Sequence, residues 1–297
     1  MQWLFLILAS VSVVTAASSP EDRAIGYLAR EVPRWSKENG CFSCHNNGDG
    51  ARALYTAERL GYEVPKAALA DSSEWLKHPS KWDSNRGNPA FSDKKLARIQ
   101  FAAALAAMTP TPGVPLGEAS ASLLPYQEAD GSWQVDAGAA LGSPVTYGAV
   151  LATATSRMTL SAARETRFAG AVAKADEWLA ARKPLSVMEA AALLLGGPAR
   201  EDCSRLLLAA QNSDGGWGPQ PHAPTEVFDT SLALLALVRT NTGSVAINRG
   251  RDYLIRAQLP AGGWIETTRP SGANSYAQHI STCGWATLAL LATHPKR

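Results

Sequence analysis

The chain has 297 residues, is 46% hydrophobic and 18% charged, and carries a formal net charge of +2. Disorder, collagen-like repetition and a coiled coil fit that composition poorly, since an average globular chain is roughly 25% charged. A basic excess of two charges with no Lys/Arg cluster leaves no electrostatic footprint for nucleic acid, and four cysteines are too few for a disulfide scaffold of this size.

In chain order, Met1 to Ala17 reads as a secretory signal: an apolar stretch at Trp3–Leu8 and Val11–Val14, then small residues at Ala16 and Ala17. The apolar run is shorter than the ~20 residues that span a bilayer. The expectation is an exported chain, periplasmic or extracellular, with no transmembrane segment after cleavage. Residues 18–297 then read as one domain built from six copies of a helical hairpin, at roughly 24–60, 71–108, 119–155, 172–195, 203–240 and 250–292. In each copy apolar residues recur at helical spacing, and Gly/Pro clusters punctuate the joins. A single hairpin cannot bury its apolar face alone, so neighbours must stack, with one outer and one inner helix per unit.

Three joins carry one motif, Gln-x-x-x-Gly-x-Trp: Gln127 to Trp133, Gln211 to Trp217 and Gln258 to Trp264. The glycine permits a tight turn at positive φ, the Gln amide can satisfy backbone groups at a helix end, and the indole packs over the neighbouring unit. These residues are therefore read as the structural ties between units.

The three motifs in this spacing resemble the QW repeats of the squalene-hopene cyclase and oxidosqualene cyclase superfamily, related to repeats of protein prenyltransferase β subunits. The resemblance runs from about Ala24 to Ala292 and is strongest after Ala119. It implies an all-α fold, an (α/α)6 toroid with six inner helices around a central cavity and an apolar or isoprenoid ligand inside. Function does not follow from fold alone. Squalene-hopene cyclases start cyclisation with a proton from a D-x-D-D motif, which is missing here, as are the prenyltransferase zinc motifs and the GCGEQ thioester motif. The nearest counterpart is Val227-Phe228-Asp229-Thr230. Asp229 is thus the candidate general acid, against an N-cap of the following helix as the structural alternative.

Cys41-Phe42-Ser43-Cys44-His45 is the second signal, since C-x-x-C-H is the attachment pattern of c-type haem. Two thiols add to the vinyl groups and the adjacent imidazole binds iron. Aligning Trp35–Cys41 with Gln211–Trp217 puts Cys41 where the motif tryptophan stands. In a closed ring unit six abuts unit one, which brings His279 and Cys283 into the argument. His279 is the expected distal haem ligand. The alternatives are a zinc site drawn from Cys41, Cys44, His45, His279 and Cys283, at about 2.0–2.3 Å, or a Cys41–Cys44 disulfide. The leading expectation is a haem-bearing toroid for electron transfer or ligand binding, with a redox partner. The alternatives are an isoprenoid-processing enzyme and a repeat scaffold. Tyr147, Phe228, Tyr276 and Trp285 lie near inner-helix starts, where packing between units competes with cavity lining. Met108, Met158 and Met188 read as core filler.

Overall fold

The computed structural model describes residues 18–85, 93–108, 114–135, 141–267, 269 and 275–295; the leader lies outside them. Twelve α-helices are found among these residues. In pairs, outer then inner, they are α1 (Pro20–Asn39) with α2 (Ala51–Arg59), α3 (Lys66–Leu76) with α4 (Lys94–Met108), and α5 (Leu116–Ala121) with α6 (Gly148–Ala162). The second half follows with α7 (Ala169–Ala181) and α8 (Val187–Gly196), α9 (Glu201–Ala209) and α10 (Val227–Thr240), then α11 (Ser244–Ala257) and α12 (Tyr276–Thr293). The inner helices pack in the order α2, α4, α6, α8, α10, α12, and α12 returns to α2. The fold is an all-α, (α/α)6 toroid.

Composition separates the two layers. Inner helices are buried on nearly every side: α12 hides Ile280 to Leu291 without interruption, and α8 hides Ala190 to Gly196. A helix enclosed all round needs apolar residues all round. Outer helices are amphipathic. In α1 the buried Ala24, Ile25, Leu28 and Val32 follow helical spacing, and the helix is set by a capping box between Ser19 and Asp22 with Pro20 at its first turn.

The Gln–Trp turns tie the units by four repeated hydrogen bonds. The Gln Nε2 donates to its own turn, at Gly131, Gly215 and Gly262 O, and to the next outer helix, at Ala171, Ala246 and Pro20 O. Each indole Nε1 donates to the carbonyl ten residues upstream, Leu123, Leu207 or Leu254, and all three rings are fully buried. Each Trp N–H finds an inner-helix side chain: Thr153 Oγ1 at 2.9 Å, Thr230 Oγ1 at 2.9 Å and Cys283 Sγ at 3.3 Å. Burying about 200 Å² per indole at about 25 cal/mol/Å² contributes roughly 5 kcal/mol of gross stabilisation. The Gln258–Pro20 bond belongs to the ring closure, reinforced by Arg251 Nη2 on the buried Glu21 at 2.5 Å.

Unit one departs from this pattern. Helix α1 runs straight through Trp35 to Asn39 and ends on Gly40 at φ 64°. Trp35 is therefore a helical residue, and Cys41 does not stand in a Gln–Trp turn as the alignment implied. Helix 1 has no Gln-x-x-x-Gly to end it earlier, and its Ser-Lys-Glu-Asn segment carries good helix formers into the last turn. Residues Cys44–Gly50 then form a π-helical turn leading directly into α2.

Candidate functional site

That π-helical segment, Cys-His-Asn-Asn-Gly-Asp-Gly, places an unusual set of polar groups inside the ring. Single π-turns in helices occur often at functional sites. Ser43 caps it, its Oγ accepting from His45 N at 3.2 Å and Asn46 N at 3.4 Å. Two glycines let the neighbours close in: a Cβ on Gly48 would stand 2.9 Å from Gln100 Cβ on α4, and one on Gly284 of α12 would meet Asp49 O at 2.9 Å. Asn46 and Asn47 are buried and hold the segment to the outer layer, donating to Glu31 O at 2.8 Å and Ser72 Oγ at 2.8 Å.

Asp49 is the centre of the site. Its carboxyl is 2% exposed and takes a short hydrogen bond from the Tyr147 hydroxyl on Oδ1, while Gln100 Nε2 donates to Oδ2 at 2.7 Å. Burial pushes this carboxyl up to about 6, against the opposing pull of Tyr147, Ser281, the Arg52 charge and Gln100. Four units thus converge on one acid. The Ser281 hydroxyl also sits 2.9 Å from His45 Nδ1, so it links Asp49 to the histidine of the C-x-x-C-H motif. Burial drives His45 down to about 4, which keeps its imidazole neutral. Around Asp49, Arg52 Nη1, Gln100 Oε1 and Trp285 Nε1 are buried with no hydrogen-bond partner among the described residues. Unsatisfied polar atoms clustered in this way are uncommon in a native interior and call for a functional account.

Aromatic rings fill the axis beside the acid. Tyr147 from unit three and Trp285 from the opposite unit six meet edge-on at 5.8 Å, and Phe228 meets Trp285 at 6.0 Å. Packing is the observed role of these three, each 1% exposed or less. Tyr276, in contrast, stacks on Trp35 at 5.7 Å. Tyr147 also closes the inner end of a cleft of about 410 Å³ between α6 and α8, bounded by Gly142, Met188, Glu189 and Arg182. Tyr147 adopts φ 60°, a strained value for a tyrosine, immediately before α6.

The expected residues fall in different places. Asp229 is the third residue of α10, behind Glu226 at the N-cap, and no side-chain cap is formed. Its fully buried carboxylate pairs instead with Arg269 at 2.8 Å, which also holds Glu226 at 2.5 Å and the Gly142 carbonyl. Burial pushes Asp229 upward while Arg269 pulls it back. The N-cap alternative is corrected: Asp229 is an ion-pair member.

His279 is turned away from His45. Its Nε2 meets the Tyr27 hydroxyl at 2.6 Å and its Nδ1 meets Glu266 at 3.3 Å, whereas His45 lies on Ser281. Residues two apart on a helix point to nearly opposite faces, so α12 separates the two imidazoles and His279 is not placed as a distal ligand. Cys283 is occupied as the counterpart of Thr153 and Thr230, and burial pushes its thiol up to about 12. Among the described residues no group of three or more His, Cys, Asp or Glu side chains is positioned to hold a metal ion. The five-residue zinc set is therefore not assembled. All four cysteines are free.

Sequence reasoning missed Asp49, Gln100 and Ser281. The available signal was a polar Gln100 within the apolar run Ile99–Met108, and a Gly-Asp-Gly immediately before an inner helix.

Among solved structures the toroid is similar to a protein from Actinoplanes, with a TM-score of 0.58 and 16% identity over 93% of this chain and all of that one. It is also similar to the type II terpene cyclase MstE from Scytonema, at TM-score 0.55 and 13% identity, covering 92% of this chain and 98% of that one. The fold is that of a terpene-cyclase toroid. A third similar structure, ent-copalyl diphosphate synthase from Streptomyces platensis, gives a TM-score of 0.53 at 20% identity over 82% of this chain and 50% of that one. In sequence, 77 residues are 38% identical to drimenyl diphosphate synthase of Streptantibioticus cattleyicolor, which is 26% of this chain and only 14% of that protein. No family model matches. Among the described residues, no helix is long and apolar enough to cross a membrane.

Proposed function

We propose that this protein is an isoprenoid-processing toroid of the type II cyclase kind, in which Asp49 supplies the proton that starts ring closure. The observation that carries this reading is Asp49 itself: a buried carboxyl at the toroid axis, bound by neutral donors and held near 6. A general acid works best when its pKa lies near the working pH. Asp229, the expected acid, is a weaker choice because Arg269 stabilises its ionised form. The likeness to terpene cyclases and to drimenyl diphosphate synthase supports an isoprenoid as substrate class.

The chain's own groups divide the work. Met188, Leu141 and Val150 offer the cleft an apolar wall, and Arg182 stands in its rim, suited to an acidic head group. Tyr147 borders the cleft and donates to Asp49 Oδ1, so Asp49 gives its carboxyl proton to the terminal alkene carbon while Tyr147 and Gln100 hold the carboxyl in place. The new C–H bond leaves a cation on the adjacent carbon, which the next alkene attacks.

The test is product analysis after incubation with farnesyl diphosphate, geranylgeranyl diphosphate and squalene. The expected result is a cyclic product, lost at least 100-fold in Asp49→Asn and retained in part by Asp229→Asn. Wild-type rates in folded Asp49→Asn, or no product from any of the three substrates, overturn the reading. The acid must be protonated to act, so the rate is expected to rise as pH falls through about 6. The groups facing Asp49 are Tyr147, Gln100, Ser281 and Arg52, with the Cys44 thiol, pushed up to about 12 by burial, staying neutral over that range.

A further inference from the structure

The C-x-x-C-H motif is not used by the cyclisation chemistry. We propose that Cys41, Cys44 and His45 are the attachment site of a covalent c-type haem, with His45 Nε2 as the axial nitrogen on iron. This inference stands on different residues from the cyclase reading and survives its failure.

The arrangement of the donors separates haem from zinc. A structural zinc gathers four ligands within about 2.3 Å of one point. Haem asks something else: one imidazole at the iron, and two sulfurs at the rim of the porphyrin, away from the metal. The C-x-x-C-H spacing is the attachment pattern of that second kind. Its two cysteines and one histidine do not form a metal-binding cluster, and among the described residues nothing completes one. Both thiols are free, and the Cys41 sulfur accepts from Trp35 Nε1 at 3.3 Å.

His45 is prepared as a ligand. A metal-binding histidine usually fixes one ring nitrogen by a hydrogen bond and presents the other. Here Nδ1 is held by Ser281 at 2.9 Å, and Nε2 has no hydrogen bond among the described residues. Behind Ser281 stands Asp49, so the imidazole is anchored through a hydroxyl to a buried carboxyl. Two stacked aromatic pairs adjoin the motif: Trp35 with Tyr276 at 5.7 Å, and Phe42 with Trp75 at 4.5 Å. Asn85 Oδ1 pins the loop, accepting from Phe42 N at 2.9 Å.

Attachment needs no outside oxidant. Each Cys S–H adds across one vinyl C=C of haem, the sulfur bonding to the inner carbon and the proton going to the outer one. The bound group would give the seam between units one and six a one-electron centre, and its partner would be another one-electron carrier.

The full-length protein should be expressed in a bacterial host carrying cytochrome c maturation enzymes, with a known c-type cytochrome as positive control. The expected result is a Soret band that resists acid–acetone extraction and a mass raised by one haem over the mature chain. Cys41→Ser/Cys44→Ser abolishes the added mass, while His45→Ala keeps it and shifts the band, a change that a purely structural histidine would not produce. A colourless wild type of unmodified mass, when the control matures, overturns the proposal. So does a mass two hydrogens lower, which marks a disulfide, or stoichiometric zinc without haem. Because the wild-type mass decides on its own, a variant that fails to fold leaves the test intact.

Discussion

The joins of units three, five and six and the join of unit one do the same topological task by different means. Each of the three Gln–Trp turns reproduces the same hydrogen bonds to the same relative positions, down to the carbonyl ten residues before the tryptophan. Unit one abandons the turn for a longer helix, a glycine stop and a π-helical segment. Where the repeat is kept, its side chains are spent on holding neighbours together. Where it is broken, the freed positions carry a buried acid, two thiols and a neutral imidazole. At unit one, the break in the repeat is where the proposed acid and the C-x-x-C-H motif both lie.

The sharpest way to break that comparison is to remove an indole. Trp217→Ala deletes a fully buried ring and leaves Leu207 O without its donor, so a loss of about 3–5 kcal/mol is expected in denaturant unfolding. Trp35→Ala, at a partly exposed ring donating only to a thiol, should cost clearly less. Equal losses would remove the distinction between the two kinds of join.

Asp49 tests the opposite expectation, that the broken unit holds its groups at the expense of stability. Burial pushes its folded carboxyl up to about 6, above the 3.8 of an ordinary aspartate. A raised carboxyl favours the protonated folded state, so stability is full below about 3.8, falls as pH rises towards 6, and stays low above. The gap corresponds to about 3 kcal/mol at pH 7. Asp49→Asn removes the charge and keeps the shape, so it should raise the melting temperature at pH 7 and change little at pH 4. A melting temperature that falls at pH 7 would mean the ionised carboxyl is part of what holds the ring together.

The turn glycines give a smaller but cleaner contrast. Gly131 has φ 96°, and a Cβ there would lie 2.3 Å from Lys174 O on the next outer helix. Gly40 has φ 64°, and an added Cβ meets nothing within 4 Å. Alanine at Gly40 should cost about 1 kcal/mol of backbone strain, and alanine at Gly131 more, because the units must also part. Chemical denaturation of the two variants measures the difference directly.

The same contrast explains what could be read from sequence. The toroid was legible because Gln127, Gln211 and Gln258 each precede a tryptophan by six residues, and three matched spacings cannot arise from one accidental turn. Asp49 was not legible, because Asn-Asn-Gly-Asp-Gly has the composition of a loop. Its partners Gln100, Tyr147 and Ser281 come from three other units, and only ring closure brings them within reach. His279 and Cys283 were expected to approach the C-x-x-C-H motif across the seam between units six and one, but His279 meets Tyr27 and Cys283 takes the Trp264 N–H. What spacing alone did not reveal is the direction of each side chain around α12, which puts Ser281, between them in sequence, on the side of His45.

Cys283 allows the finest test. Its thiol accepts the Trp264 N–H at 3.3 Å where Thr153 and Thr230 use a hydroxyl at 2.9 Å, and it is wholly buried. Threonine fits that role by the protein's own precedent, with an Oγ1 that makes a shorter hydrogen bond to the same donor. Cys283→Thr is therefore expected to change stability by less than about 1 kcal/mol and to leave the haem band and mass of the preceding test unaltered. Cys283→Val, of similar shape without an acceptor, should cost about 1–3 kcal/mol because the Trp264 N–H is left buried and unpaired. If threonine instead abolished the haem band while the fold survived, Cys283 would be a ligand rather than a tie, and the seam of unit six would belong with the broken join instead of the repeated ones.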